Sequence, residues 1–439
     1  MPNYLKFETR NKLFETIVQK DTKKRPIPGT NYVVPKGGFL DTISLKAYGY
    51  NRVSDIEKAN EELLKSRNRI QGIKNVYPGD VIWLPPGLAR EVTPEQIDSD
   101  SPDEIAIRIN GKIFKGYTAS NINRSLNSVA DGFSFTAPFN PSDPDSVYLD
   151  PHTFLPADIF IGGELYISGR CEKWDPAFDE NSTSTNIQVR SLAGVLVDCV
   201  SEDKQRNYIS QSLSQITNKL LNPFGIKSIY PDGDGGIIDK SKRNPGDKIY
   251  SFLQGLAKIK GYIINSTVDG GISYDRANIK GKPIFQLKQG NWPLLSAKPS
   301  YDGTKRFSQF TAIAQGKKNV VIRSSVVDKS VPVKRPTVID AKYSSKGNVK
   351  EAAEWARSRS LSSSSPCTVT VATWRDDNGD LIKENNIVTL LCPNVSVYRE
   401  TRYLIEKVQL AQDGKTAQLT LVLPEAYTLE FPEVFPWQR

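Results

Sequence analysis

Histidine is almost missing from this sequence: of 439 residues only His152 is one. Histidine is the usual general base and a frequent metal ligand near neutral pH. Ser-His-Asp, Cys-His and multi-histidine zinc chemistry must therefore all pass through His152 or be absent. It lies in Asp150-Pro-His-Thr-Phe-Leu-Pro156, a stretch that reads as a loop, so a surface or turn histidine is expected. Cysteine is sparse too. Cys171, Cys199, Cys367 and Cys392 form no C-x-x-C pair, which argues against a zinc site, and a disulfide framework does not suit a large cytosolic chain. Buried thiols acting as small apolar residues are the expectation. No apolar run approaches the roughly eighteen residues a membrane span needs. The stretch Met1–Arg10 mixes charges with single apolar residues and does not read as a signal peptide, so the chain is expected to be made and to begin its life in a cytoplasm.

Catalytic motifs are missing as well. There is no phosphate-binding loop, no G-x-S-x-G elbow and no dinucleotide fingerprint. Asp232-Gly-Asp-Gly-Gly236 opens like a calcium loop, but Arg243 stands where the closing bidentate glutamate would be, so a turn is expected. No spacing singles out a carboxylate pair for sugar hydrolysis among the 49 acidic residues. No catalytic, cofactor-binding or metal-binding residue is assigned.

What the sequence does have is an uneven charge of +9. Residues 1–90 hold sixteen basic against nine acidic residues, and residues 91–104 hold six acids and no base. A basic head on an acidic, Pro- and Ser-rich connector is an interaction pattern. Without interleaved aromatics or a groove-reading motif, a solvated basic face is preferred to a nucleic-acid site.

The head has an order of its own. Tyr32–Val34 reads as a strand, and Leu40, Ile43 and Ala47 as one face of a helix ended by Gly49. Val53, Ile56, Ala59, Asn60 and Leu63 give a second helical face. Tyr77-Pro-Gly-Asp80 is a turn, and Val81–Leu84 a closing strand. Tyr32-Val-Val, Ile56-Glu-Lys-Ala-Asn60 and Tyr77-Pro-Gly-Asp-Val-Ile-Trp-Leu-Pro85 together resemble a LysM domain. Gly37, Gly38, Phe39, Tyr77 and Pro78 would line its groove. Gly38-Phe39 replaces the usual Gly-Asp-Thr-Leu pattern, and the basic stretch Lys65–Arg69 lengthens a loop. Both departures point to docking rather than glycan binding.

Beyond the connector the period becomes two. Ile105, Ile107 and Ile109 alternate with polar residues up to an Asn110-Gly111 hairpin. Strands follow at Phe133–Phe135 and Ile159–Ile161, then Gly162-Gly163 and Leu165–Ile167. From Ser191 the period is helical: Leu213, Ile216 and Leu220, then Ile249, Phe252, Leu253, Leu256 and Ile259 closed by Gly261. Strands return at Phe310–Ala314, Val320–Ile322, Cys367–Val371, Ile387–Leu391, Tyr403–Leu410 and Leu419–Leu423. They are interrupted by a helix with Val349, Ala352, Ala353 and Ala356 on one face and a polar Ser360–Ser365 stretch after it.

Val189-Arg-Ser-Leu-Ala-Gly-Val-Leu-Val-Asp-Cys199, Asn222-Pro-Phe-Gly-Ile226 and, more weakly, Ile109–Tyr117 and Asn123–Phe135 resemble segments of Mu-like phage baseplate hub proteins, the late control protein D family. The resemblance spans about residues 104–424. It implies an α+β, mostly β fold: two tube-like antiparallel β-barrels with an α+β insert, preceded here by the βααβ LysM unit. The divisions expected are an arm (1–27), LysM (28–88), acidic linker (89–104), first barrel (105–190), insert (191–290), second barrel (291–425) and tail (426–439). The function implied is a structural hub of a contractile phage-type tail, a homotrimer joining the six-fold tail tube to the three-fold central spike. Its partners would be itself, the tube protein, the spike and other baseplate proteins, with DNA only as tube contents and neither membrane nor peptidoglycan. Its place would be the virion baseplate, assembled in the host cytoplasm. An effector-injection particle would use the same hub. The rival reading is a LysM protein that binds or degrades cell wall. Incubation with purified peptidoglycan is expected to release no soluble fragments; release abolished by one Asp or Glu substitution would establish that rival.

Overall fold

The computed structural model describes the chain apart from residues 1–13, 17–23, 28, 35–39, 41–42, 45–46, 48–51, 71–72, 91–100, 115, 141, 143–145, 147–149, 181, 234, 316–320, 342–348, 433 and 439. The chain forms two compact units, Thr16–Ile97 and Asp98–Arg439 together with residues 1–15.

In the smaller unit β1 (Thr30–Val33) pairs antiparallel with β2 (Val81–Leu84). Between them lie α1 (Val53–Ala59) and α2 (Glu61–Leu64), with residues 40, 43, 44 and 47 also helical. Val34, Leu40, Ile43, Val53, Ile56, Leu64, Val76, Ile82 and Leu84 make one core. The second helical face differs from expectation: Asn60 and Leu64 are buried, whereas Ala59 and Leu63 face out. Asn60 is the cause. Its amide donates to the Ile56 and Trp83 carbonyls (both 2.7 Å), and its Oδ1 accepts from Trp83 N (2.6 Å). A buried side-chain amide must be satisfied in this way, and tying it to β2 breaks the helix and shifts its register.

The larger unit begins with β3 (Ile105–Ile109), β4 (Lys112–Phe114), β5 (Ala119–Ser125), β6 (Gly132–Pro138), β7 (Pro156–Ile161), β8 (Glu164–Phe178) and β9 (Thr183–Ser191). The alternation in β3 is real: Ile105, Ile107 and Ile109 are buried and their neighbours are not. The Asn110-Gly111 and Gly162-Gly163 turns take the positive φ their sequences imply. After the insert come β10 (Pro283–Lys288), β11 (Leu294–Pro299), β12 (Gln309–Gln315), β13 (Val321–Val327), β14 (Pro336–Asp340), β15 (Cys367–Val371), β16 (Ile387–Cys392), β17 (Val397–Ala411) and β18 (Thr416–Val422).

The hydrogen-bonded order is β4-β3-β7-β8-β9-β6-β5-β17-β18-β15-β11, with β10 and β16 branching off β17 and residues 14–16 beyond β4. Two halves of this path have the same plan. The order β3-β7-β8-β9-β6-β5 matches β10-β16-β17-β18-β15-β11 strand for strand in chain sequence. The long strands β8 and β17 each have 15 residues and each bulge midway, at Cys171/Lys173 and Ile405/Lys407. The halves differ where β3 meets β7 antiparallel but β10 meets β16 parallel. Among the described residues no ladder closes either half into a ring; β5 pairs instead with β17, and one hydrophobic cluster runs through both halves.

Three expectations are corrected. β10 lies in the second sheet, not the insert, because it pairs with β16. β12 and β13, where strands of the second barrel were expected, are not in the second sheet: β13-β12-β14 is a separate sheet, covered by helix α5 (Val349–Ser364) through Phe310, Ala312, Val349 and Ala353. Two-residue alternation tells which face is buried, not which sheet a strand joins. The serine stretch is mostly helical. Ser363 and Ser364 hydroxyls donate to the carbonyls of Ser360 and Leu361, as serine within a helix does.

The insert packs α3 (Leu213–Leu221) and α4 (Ile249–Ile259) through Leu213, Ile216, Leu220, Phe252, Leu253 and Leu256 against its short strands. α3 starts with a capping box between Ser212 and Gln215. Gly132 on β6 leaves no room for a side chain: a Cβ there would sit 2.3 Å from the Val189 carbonyl oxygen on β9. Gly132→Ala is expected to destabilise the larger unit by about 1–3 kcal/mol, read as a lowered denaturant midpoint with unchanged m-value.

Candidate functional site

Three places in the molecule have the chemistry to be functional: the outer surface of the small unit, a cleft under the insert, and a buried ionic junction. Of the residues expected in the groove, Gly37, Gly38 and Phe39 lie outside the described residues, while Tyr77 and Pro78 sit on an ordered turn. Gly79 takes φ +92°, Asp80 N donates to Tyr77 O (3.0 Å), and the Asp80 carboxylate accepts from Tyr77 N (2.8 Å). Gly79 N and Val34 O then join the turn to the strand (2.8 Å). Arg67 is a partner that no sequence pattern points to. Its guanidinium lies 4.3 Å from the centre of the half-exposed Tyr77 ring and bonds Asp80 (3.2 Å). One ring face is thus taken by a cation, which leaves less aromatic surface for a sugar. On the outer face of the β1–β2 pair Val33, Val81 and Trp83 are exposed side by side.

The cleft, about 530 Å³, is lined by Arg170, Leu192, Val195, Lys227, Asp269 and the Pro223–Ile226 segment. The segment singled out in sequence therefore forms one wall, with Gly225 in the left-handed conformation (φ +66°) that lets the chain turn there. His152 is exposed at φ +61°, its ring 6.3 Å from Trp174, a half-buried side chain at the rim of the main core. Asp232 forms a turn: its carbonyl accepts from the Tyr262 hydroxyl (3.0 Å). Among the described residues no cluster of three or more His, Cys, Asp or Glu is placed to hold a metal.

The ionic junction is not legible in sequence, because its members are 260 residues apart. Arg124 on β5 donates to the Glu384 carboxylate just before β16 (2.7 Å), to Tyr166 O on β8 (3.1 Å) and to Ser266 O in the insert (3.3 Å). Both charged side chains are under a tenth exposed. Asp131, after β5, lies 3.9 Å from the guanidinium and accepts from Ser125 N (2.9 Å) and Ser266 Oγ (2.5 Å). First sheet, second sheet and insert thus meet on one guanidinium. Burial works against the Arg124 cation, but Glu384 outweighs it and keeps the group charged. Burial likewise opposes the Glu384 anion, and Arg124 outweighs it, holding that carboxyl below its usual range. Asp131 gets the weaker share: burial pushes its pKa up to about 6, assisted by the Glu384 charge and resisted by Arg124. Arg375 anchors the end of the acidic connector, donating to Asp103 (2.9 Å), Pro102 O and Gly379 O.

Family models match the larger unit in three parts. Residues 104–191 match "Mu phage baseplate assembly protein GpP-like, N-terminal", residues 193–276 match "Baseplate hub protein gp44-like, second domain", and residues 345–430 match "Mu phage baseplate assembly protein GpP, fourth domain". The chain is 24% identical over 346 residues to baseplate hub protein gp44 of Escherichia phage Mu, covering 74% of this chain and 88% of that protein. Among solved structures it is similar to the 43 kDa tail protein of prophage MuSo2 from Shewanella oneidensis (26% identity, TM-score 0.65, 74% of this chain and 99% of that one). The tail protein from Neisseria meningitidis MC58 has the same fold (18% identity, TM-score 0.64, 74% and 98%).

Removing one member of the buried pair strands the other charge. Glu384→Ala is expected to cost about 3–5 kcal/mol, and replacing both Arg124 and Glu384 by leucine much less, measured by denaturant unfolding. Asp131 gives a separate signature. Its pKa is higher folded than its ordinary 3.8, so its protonated form favours folding and that stability is lost as pH rises through about 6. Asp131→Asn should remove this decline, flattening the stability–pH curve between about pH 4 and 6.

Proposed function

We propose that this chain is a structural baseplate hub protein of the Mu-like family, and that it works as a homotrimer joining a six-fold tail tube to a three-fold central spike. The observation that supports it best is the repeated strand order: one chain holds two sheets of the same plan, fused edge to edge by β5 and β17. Three such chains present six similar units, which matches a six-fold ring on one side and a three-fold partner on the other. The three family matches occur in hub order over the same unit. The buried Arg124–Glu384 pair fits a scaffold that must keep its two sheets and insert in fixed relation while load passes through it.

The small unit is read as a LysM-like docking module. The strand–helix–helix–strand order supports that fold, and the Arg67-covered Tyr77 ring with the exposed Val33, Val81 and Trp83 favours a protein partner within the particle over a glycan. The particle is a contractile tail or an injection apparatus built on the same hub.

The full chain is expected to have a native mass three times its own 48.9 kDa, by mass photometry or light scattering; a monomer at all concentrations would overturn the trimeric adaptor. Deleting residues 30–86 should leave that mass ratio intact and impair incorporation into baseplates. Micromolar binding of chitin oligomers, about −8 kcal/mol, by the full chain and not by the deletion would return the module to a sugar receptor.

A further inference from the structure

The Pro223–Ile226 segment does more than turn the chain. Ile226 belongs to the insert core, but Pro223 and Gly225 are exposed and Phe224 is half-buried, so the other side of the segment is a surface. That surface is one wall of the 530 Å³ cleft, which Arg170 of β8, Leu192, Val195, Lys227 and the turn Asp269–Gly271 complete. Sites that hold a ligand or a short stretch of peptide run to roughly 300–1,000 Å³.

The walls are fixed by main-chain bonds. Gly225 N donates to Asn222 O (3.1 Å), Ile272 N to Lys227 O (2.8 Å) and Gly270 N to Thr267 O (3.0 Å). Ser168 N on β8 donates to Val268 O (2.9 Å), which ties the turn to the first sheet. Gly270 has no room for a side chain, since a Cβ there would lie 2.8 Å from Leu192. A cleft held in this way stands ready before anything enters, which lowers the ordering cost of binding.

Its chemistry is two-sided. Leu192, Val195 and Phe224 are half-buried apolar side chains. Beside them Arg170 and Lys227 are exposed, and among the described residues neither makes an ion pair. The acids close by are engaged elsewhere. Asp269 accepts from the Thr267 hydroxyl within its own turn. Glu172 (2.7 Å) and Asp198 are paired with Arg190, which stands opposite Arg170 on β9. Beyond the cleft the same wall continues as the short strand Ser228–Ile229, at the edge of its sheet, with Ile229 51% exposed. An extended occupant can follow that wall where a compact one cannot.

We propose that this cleft receives an extended peptide segment of a partner protein, carrying a large apolar side chain next to a carboxylate. The apolar group enters among Leu192, Val195 and Phe224, and the carboxylate bridges Arg170 and Lys227. An arginine fork suits a carboxylate geometrically, and a second cation adds to the attraction. The chemistry of the cleft stands apart from the hub reading, which is tested by native mass.

A pair of dyes tests the chemistry. In 1-anilinonaphthalene-8-sulfonate an aromatic body carries an anion, and N-phenyl-1-naphthylamine is the same body without it. On the full chain, Arg170→Glu with Lys227→Glu is expected to weaken the sulfonate by about tenfold or more and the neutral dye by less than about twofold. Both side chains are exposed, so the denaturant midpoint should not move. If charge reversal does unfold the protein, Arg170→Gln with Lys227→Gln replaces it, with a smaller loss in the same direction. A displayed library of random peptides, selected on the wild-type chain and released by the sulfonate dye, then tests the occupant. The peptides should share an Asp or Glu beside a large apolar residue and fail to bind the charge-altered chain. Equal sulfonate binding by wild type and variant overturns the proposal. So do selected peptides without an acid, peptides held equally by the variant, and a selection that yields no peptide the dye can release.

Discussion

The edge of a β-sheet presents a row of main-chain donors and acceptors that must be covered, bonded or defended. In this protein the cover for β5 is β17, a strand of the second sheet that begins nearly three hundred residues later in the chain. That ladder turns two similar sheets into one path with a shared hydrophobic interior. It also requires β17 to be long enough to leave β16 and continue, which is why the bulge at Ile405/Lys407 sits where its partner on that side changes.

Joining two sheets this way leaves a polar seam to be satisfied where the insert meets them. Arg124 does so with one planar group that reaches a carboxylate and two carbonyls from three parts of the chain. An ion pair so deep is weak as a source of stability but strong as a constraint, since any other arrangement strands a charge. Asp131 shares that cation with Glu384, and its pKa is raised chiefly by burial, with the Glu384 charge adding to the rise and Arg124 resisting it.

The proposal of a structural hub draws on the same features. Its buried charges serve junctions between parts, and the segment Pro223–Ile226 shapes a cleft wall beside the first sheet. The exposed apolar side chains of the larger unit include strand positions such as Phe178 and Leu295. On the small unit, Arg67 folds back over Tyr77 and leaves the outer face of β1 and β2 as the apolar surface.

Local pattern in the sequence is enough for much of this. The alternation of Ile105, Ile107 and Ile109, the Asn110-Gly111 and Gly162-Gly163 turns, and the helical faces of α3 and α4 are set by interactions within a few residues, and each appears in the structure as expected. The similarity to hub proteins rests on short segments such as Val189–Cys199 and Asn222–Ile226. What local pattern cannot express is which strand pairs with which. β12 and β13 alternate as well as any strand of the main sheet, yet form their own sheet under α5, and β10 leaves the insert for β16. Asn60, polar and therefore one position among several in a helical pattern, takes a core site because β2 offers its amide partners on two sides. The meeting of Arg124 with Glu384, and of β5 with β17, depends on contacts across more than 250 residues of chain. Such contacts are decided by which surfaces remain to be buried once the local elements exist, and only the tertiary structure records that choice.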